Sequence, residues 1–262
     1  MSIQKFPLAT VNKIRHYIQS ALVLTETAQQ SQVWAGLDET EEPPEPESLD
    51  DLSGLFTFGG LDPEEILAPG SQWFISTVNP AAALSKLPGL RLKPEYRWVS
   101  YLYRDQQEGI GLVFAIPAPL STTACLEKAL TQSRDMTQPP LPEGALGNFM
   151  EAIDGDRSAA SFLVASLLRR ELQEFGALGQ RCDWSHHRLI DAAPPQANWR
   201  WQGEPLPDLS PKVKILPNGQ AATEFFTCRV RNPVALYRHL DQYPIEHYKP
   251  KSLDKAIAVA YR

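Results

Sequence analysis

The sequence predicts an α+β protein, with a mainly antiparallel sheet packed against helices. Strand-like stretches flank two turn signals, QQEG at 106–109 and Asn218-Gly219, and both are typical of hairpins. Residues 158–180 carry apolar side chains at helical spacing over a wide face, which is typical of a heavily packed central helix. Because hairpins join neighbouring antiparallel strands, they favour this class over a doubly wound parallel sheet.

A helix is predicted at the N-terminus, over residues 9–35. Val11, Ile14 and Ile18 recur at three- and four-residue spacing, Thr10 could cap the start, and Gly36 could end the helix. Two interpretations stay open. The helix packs on the core of the protein, or it is tethered to the body and binds a partner.

The segment that follows is strongly acidic. Residues 38–51 hold eight acidic residues, no basic residue and three prolines, with almost no apolar side chains to bury. We interpret it as a flexible linker, with contact to a basic partner as the alternative. The predicted organisation is an N-terminal helix (1–37), the acidic linker (38–52) and an α+β body (53–262), with possible halves 53–148 and 149–262.

Two Asn-Pro pairs in the body are predicted to start helices. Asn79 and Asn232 could act as N-caps, with the following proline at the first helical position. Strand–strand–helix units then appear near 96–130 and 212–240. They indicate either an internal duplication or the ordinary pattern of an α+β protein.

Composition narrows the class of protein. No apolar stretch is long enough to span a bilayer, and the start of the chain lacks the apolar core of a signal peptide. Three widely spaced cysteines make a disulfide framework unexpected, which favours the cytoplasm. The net charge of −6 argues against nucleic acid as a partner, since phosphate binding needs a basic surface.

The stretch CDWSHHRLI at 182–190 holds the densest group of chemically active residue types. If the preceding helix continued through it, Cys182 and His186 would share one face, and Asp183 and His187 the adjacent face. Cys182, His186 and His187 are therefore the predicted metal ligands, with zinc as the metal, and Cys228, His239 or His247 could complete its coordination. The alternatives are a Cys–His nucleophilic pair and a structural role in capping and packing. We assign no catalytic residue.

A contact surface is predicted around the tryptophans of the same region. Trp199 and Trp201 flank Arg200 in a polar, proline-bounded loop, an arrangement that suits recognition of another protein. The predicted partner-binding residues are Trp184, Arg188, Trp199, Arg200 and Trp201. The leading functional hypothesis is a non-enzymatic interaction or assembly factor. The alternatives are a metal-dependent hydrolase and a small-ligand or cofactor-binding protein centred on 182–187.

The stretch ELQEFGALGQRCDWSHHRLI at 171–190, with NWRW at 198–201, resembles uncharacterised proteins of cyanobacteria. The resemblance covers residues 145–262. It implies the cytoplasm of a photosynthetic bacterium as the setting, and it implies no site residues.

Overall fold

The computed structural model describes residues 1–24, 72–105 and 108–261. The acidic linker, Gly36 and the start of the body lie outside the described residues. The helix predicted over 9–35 ends at Ala21, so its predicted length is wrong.

The described chain is rich in strands. They are β1 (Ser2–Lys5), β2 (Gln72–Ile75), β3 (Leu90–Leu92), β4 (Tyr96–Arg104), β5 (Gly109–Pro117), β6 (Ile153–Gly155), β7 (His187–Ile190), β8 (Asn198–Trp201), β9 (Lys212–Ile215), β10 (Ala221–Arg229), β11 (Ala235–Tyr243) and β12 (Lys251–Tyr261). The α-helices are α1 (Leu8–Ala21), α2 (Thr123–Leu130) and α3 (Ala159–Gln173). Short 3₁₀ turns lie at Pro80–Lys86, Ala118–Leu120, Phe149–Ala152, Gly179–Arg181 and Trp184–His186.

The strands form antiparallel sheets. The largest has the order β1-β9-β10-β11-β12-β8, and β7 also pairs with the second half of β10. A second sheet has the order β2-β4-β5, and β3 pairs with β6. The predicted α+β class is thereby confirmed, and so is the hairpin at Asn218-Gly219, where Gly219 takes a positive φ of 84°.

Helix α3 lies at the centre of the main core. Ser158 caps its start by accepting from the backbone N–H of Ser161, as expected of a serine at this position. Leu163, Val164, Leu167 and Leu168 are fully buried, and the helix contacts both β5 and the β9–β10 hairpin. Apolar side chains around most of its circumference are what a helix enclosed by other elements needs.

Helix α1 packs on the same core. Val11 and Ile18 are fully buried and belong to one apolar cluster with α3, and β1 pairs with β9. Of the two interpretations of the N-terminal helix, the structure supports the packed one. The helix begins at Leu8, and Pro7 is the N-cap residue. The predicted cap, Thr10, lies inside the helix, so that prediction is wrong.

The predicted helix after Asn232-Pro233 is wrong. Residues Ala235–Tyr243 form β11, which pairs along its whole length with β10. The stretch 212–240 is therefore strand–strand–strand, whereas 96–130 contains the predicted strands β4 and β5 followed by α2. The two stretches do not repeat one unit. At the first Asn-Pro pair the prediction holds, because Asn79 caps a 3₁₀ turn by accepting from the backbone N–H of Ala81.

None of the helices in the described residues combines the length and apolarity that crossing a bilayer requires.

Candidate functional site

The stretch 182–190 leaves the helix well before its histidines. Helix α3 ends at Gln173, Gly176 takes a positive φ of 67°, and Trp184–His186 forms a 3₁₀ turn that leads into β7. The premise of two helical i,i+4 pairs is therefore wrong. His187 opens strand β7 and is buried, whereas His186 stays partly exposed.

The carboxylate of Glu174 fixes this turn. Its Oε1 accepts from the backbone N–H groups of Asp183 and Trp184, and its Oε2 accepts from that of Ser185 at 2.6 Å. Hydrogen bonds to a charged acceptor are among the stronger ones in proteins. The turn that presents Trp184 and His187 is thus attached directly to the end of α3.

Arginine from α1 holds the other side of the turn. Arg15 Nη2 donates to the carbonyl of Trp184 at 2.9 Å, and its Nη1 donates to the carbonyl of His187. The guanidinium lies over the Trp184 ring at 4.5 Å and pairs with Glu171 at 2.7 Å. The N-terminal helix therefore takes part in building this region.

Two aromatic rings enclose the imidazole of His187. The Trp184 ring stacks on it at 5.6 Å with an interplanar angle of 26°, and the Tyr237 ring lies 4.9 Å away on β11. Such contacts restrict ring orientation as well as burying apolar area.

A chain of hydrogen bonds runs from this imidazole into the sheet. His187 Nδ1 lies 2.7 Å from Thr227 Oγ1, which lies 2.8 Å from His239 Nε2. His239 Nδ1 in turn lies 2.8 Å from Asp254 Oδ1. The four residues come from β7, β10, β11 and β12, so the antiparallel registers of the large sheet align the chain.

The donor and the acceptor of each hydrogen bond in this chain can be assigned. The carboxylate of Asp254 can only accept, so His239 Nδ1 carries a hydrogen. Burial lowers the pKa of His239 although Asp254 opposes the effect, so the ring is neutral near pH 7 and its Nε2 accepts from the Thr227 hydroxyl. The oxygen of Thr227 then accepts from Nδ1–H of His187, which leaves the lone pair of His187 on Nε2.

Burial also keeps His187 neutral. Desolvation, followed by the nearby His239, lowers the pKa of His187 to about 4, and the opposing effect of Asp183 is smaller. The Oδ2 atom of Asp183 lies 3.8 Å from His187 Nε2, with a side chain 70% exposed. The proton-accepting nitrogen of His187 therefore lies close to the protein surface, on the side of Asp183.

Charged side chains beneath the histidines are paired, and all of them except Asp254 are buried. Arg170 bonds Asp241 at 2.5 Å and Asp254 at 2.7 Å, and Arg169 bonds Asp241 at 3.2 Å. Burial alone would raise the pKa of Asp241, but the charge and hydrogen bonds of Arg170 outweigh it and lower the pKa. The pairing with Arg170 stabilises the ionised carboxylate of Asp254, which accepts the hydrogen bond from His239 Nδ1.

These groups line a cleft of about 270 Å³. Its walls are Arg170, Gln173, Glu174, Arg181, Asp183, Trp184, His187, Tyr237, His239 and Asp254. The volume lies just below the roughly 300–1,000 Å³ usual for small-molecule pockets. Most of the lining is charged or polar, and Trp184 and Tyr237 supply the aromatic surface, so the cleft suits a polar ligand better than an apolar one.

The predicted metal ligands do not meet in this cleft. The thiol of Cys182 donates to the carbonyl of Ala177 at 3.3 Å, and only His187 of the three lines the cleft. Within residues 1–24, 72–105 and 108–261, no group of three His, Cys, Asp or Glu side chains is placed to hold a metal. Zinc binding stays a prediction that elemental analysis of purified protein tests.

The predicted partner-binding residues fall into three environments. Trp184 is buried and forms a wall of the cleft. Arg188 is exposed on β7. On β8, Trp199 and Trp201 are half-buried against the sheet face opposite α3, and Arg200 between them is exposed.

Sequence reasoning missed Tyr237 and Arg170 of the cleft and Asp241 and Thr227 behind it, and it named His239 only as a further zinc ligand. Tyr237, His239 and Asp241 alternate with apolar or exposed residues on β11, which places all three on the face toward α3. The alternation of these polar residues along the sequence was the available signal. The same alternation is also compatible with a strand face in solvent or with the start of a helix. Arg170 and Thr227 gave no signal, because their partners are distant in the sequence.

Comparison of this chain with protein-family models, curated proteins and solved structures finds no match. The expected relation to cyanobacterial proteins stays a prediction.

Proposed function

We propose that this protein binds a small polar molecule in the cleft beside His187, and that the molecule donates a hydrogen bond to His187 Nε2. The observation that carries the proposal is the chain Asp254–His239–Thr227–His187. It fixes a lone pair on a neutral ring between two aromatic side chains, at the border of a cleft.

The chemistry of the cleft favours a donor ligand. A hydroxyl or amine donates to a lone pair of this kind, whereas an anion without a proton does not. The exposed carboxylate of Asp183 near His187 Nε2 favours the same class, because it adds a second acceptor. The volume of about 270 Å³ limits the ligand to a small metabolite.

Binding fits this geometry better than catalysis. A general base works best when its pKa lies near the operating pH, and burial lowers the pKa of His187 to about 4. Thr227 is fully buried, so its hydroxyl serves as a link between two rings and has no access to a substrate. The proposed role is therefore recognition of a ligand.

A binding screen with two histidine variants tests this function. A library of small hydroxylated and aminated metabolites is screened by thermal shift, and hits are measured by isothermal titration calorimetry. We expect hits with the wild-type protein and with His186→Ala, and loss of affinity of at least about tenfold with His187→Ala, the cost of one good hydrogen bond.

His186 provides the matched control because it is the adjacent histidine and does not line the cleft. An absence of hits for the wild type would contradict the proposal. Equal affinity of the two variants for every hit would contradict it as well.

A protein-interaction role is the second candidate, and strand β8 favours it. Among the described strands β8 is the last of the large sheet and pairs with β12 alone. An edge strand offers unpaired backbone groups to a partner strand, and exposed Arg200 supplies charge beside them.

This second candidate predicts a charge-sensitive complex. Wild type, Arg200→Glu and the control Arg97→Glu, at an exposed position on β4, are compared by affinity purification from the native host. We expect one protein partner to be lost with Arg200→Glu and kept with Arg97→Glu. Identical recovery with both variants would remove the support for this surface.

A further inference from the structure

A basic groove lies at the far end of the large sheet. It has a volume of about 830 Å³ and runs between the β9–β10 turn and the β11–β12 connection. Its lining is Lys214, Leu216, Gln220, Ala221, Ala222, Gln242, Tyr243, Pro244, His247, Lys249, Pro250 and Lys251. The lining residues include three lysines and one histidine, and none of them is acidic.

The antiparallel registers place two of the lysines in one row across four strands. Lys214 on β9 pairs with Ala222 on β10, Ala222 pairs with Gln242 on β11, and Gln242 pairs with Lys251 on β12. Paired residues share a sheet face, and neighbouring strands are about 4.8 Å apart, so the two lysine Cα atoms lie roughly 14 Å apart. The small side chain of Ala222 leaves space between them.

The groove is held in shape by Arg157. This residue has a positive φ of 57°, and its guanidinium donates to the carbonyl of Pro244 at 2.5 Å and to that of Gly219 at 3.4 Å. It thereby joins the two hairpin ends that form the walls. Tyr248, whose hydroxyl accepts from the backbone N–H of Arg157 at 2.8 Å, anchors the same connection in the core.

Two acidic side chains near the groove, Glu224 and Glu151, are paired with basic residues, whereas Glu246, which precedes His247, is exposed to solvent. Glu224, in the adjacent row of the sheet, binds Lys212 at 2.7 Å and Arg238 at 2.6 Å. Glu151 binds Lys249 at 2.8 Å. Lys214 and Lys251 take part in none of the ion pairs found in the described residues, and the buried Nδ1 of His247 has no hydrogen-bond partner there.

We propose that this groove binds a small multivalent anion of the di- or triphosphate type. Lysines at both ends of a row suit a ligand that carries negative charge at more than one position. Lysine is a common phosphate ligand in proteins, acting as a point charge. The volume is that of an ordinary small-molecule site. This site is separate from the cleft at His187, since the two share no lining residue.

Calorimetry with inorganic pyrophosphate and tripolyphosphate, on the full chain, tests the proposal. We expect both to bind, orthophosphate to bind more weakly, and added salt to weaken all three, because the attraction is between charges near the surface. The double variant Lys214→Gln/Lys251→Gln is expected to lose at least about tenfold in affinity for pyrophosphate.

The matched control is Lys13→Gln/Lys128→Gln, which makes the same change in net charge at exposed positions on α1 and α2. Its affinity should stay within about twofold of the wild type, and thermal melting should show both double variants folded. Failure of pyrophosphate to bind the wild type would overturn the proposal, and so would an equal loss in both double variants.

A local readout separates this groove from any other anion site. The imidazole resonances of His247, assigned by comparison with His247→Gln, are expected to shift when pyrophosphate is added to the wild type. Binding measured by calorimetry without a shift of His247 would place the anion elsewhere and contradict the proposal.

Discussion

Thr227 is the residue on which the hydrogen-bond chain depends. Its hydroxyl is hydrogen-bonded to both imidazoles, and the residue is fully buried. Thr227→Val keeps the shape and removes the hydroxyl, so two buried ring nitrogens lose a partner. We expect the free energy of unfolding, measured with urea, to fall by roughly 3 kcal/mol.

Thr227→Ser is the control for that prediction. It keeps the hydroxyl and removes only a methyl group, so we expect a loss of about 1 kcal/mol. Long-range ¹H–¹⁵N spectra should show hydrogens on Nδ1 of His187 and His239 in the wild type and in the serine variant. A valine variant as stable as the serine variant would contradict the assigned chain.

The stability of the fold should decrease below neutral pH because of the buried histidines. Burial lowers the pKa of His187 to about 4, against about 6.5 for an unfolded histidine. Between these values the unfolded chain binds a proton that the folded chain excludes. The stabilisation is therefore complete above pH about 6.5, and it is lost as the pH falls toward 4, by on the order of 3 kcal/mol.

Urea unfolding at several pH values checks this expectation. His187→Gln should reduce the pH dependence between about 6.5 and 4 without abolishing it, because burial lowers the pKa of His239 as well, and His186→Gln should leave it unchanged. The pKa values of Asp241 and Asp254 are also lowered, by their arginine and histidine partners, so these acids contribute to the loss of stability only at lower pH. The same slope in both histidine variants would refute the assignment to His187.

Residue types indicated the region of the site, but not its composition. The grouping of Cys182, Asp183, His186 and His187 drew attention to 182–187, and His187 does line the cleft. Its partners come from strands that are neighbours only after the sheet forms. Such contacts follow from register, which a local pattern does not contain.

At the scale of elements, the ion pairs of Arg170 hold helix α3 to the sheet. Arg170 and Asp241 are almost fully buried, and removal of one partner leaves an uncompensated charge in the core. We expect Arg170→Met to lower the free energy of unfolding by about 3–5 kcal/mol.

Arg91→Met is the matched control, because the Arg91–Asp154 pair is 75% and 43% exposed. An exposed pair contributes about 0–1 kcal/mol. Chemical denaturation of both variants measures the difference. A loss for Arg170→Met no larger than that for Arg91→Met would show that the buried pair does not stabilise this junction.

The elements that sequence predicted best were those with local causes. The Asn218-Gly219 turn and the Asn79 cap depend on a few adjacent residues, and both are confirmed. Strand β11 was predicted as a helix because an Asn-Pro pair can start a helix. The same pair is equally compatible with a turn. The core-facing residues of β11, Tyr237, His239 and Asp241, are polar, so the apolar alternation of a half-buried strand was hidden.

At the scale of the whole molecule, the N-terminal helix and the body share one core. Ile18 is fully buried in the cluster that contains α3. We expect Ile18→Ala to lower the free energy of unfolding by about 2–5 kcal/mol. Near- and far-ultraviolet circular dichroism should report one coincident transition for the variant, as for the wild type. Separate transitions would indicate that α1 unfolds independently.

The pairing of β1 with β9 has a consequence for synthesis on the ribosome. Ser2 pairs with Ile215, so β1 has no partner strand until about 210 further residues have been made. Contacts between residues so distant in sequence slow folding, because a long loop must close before they form. The pairing of β1 therefore forms only after β9 has been made, and until then β1 and the apolar face of α1 are exposed to other molecules in the cell.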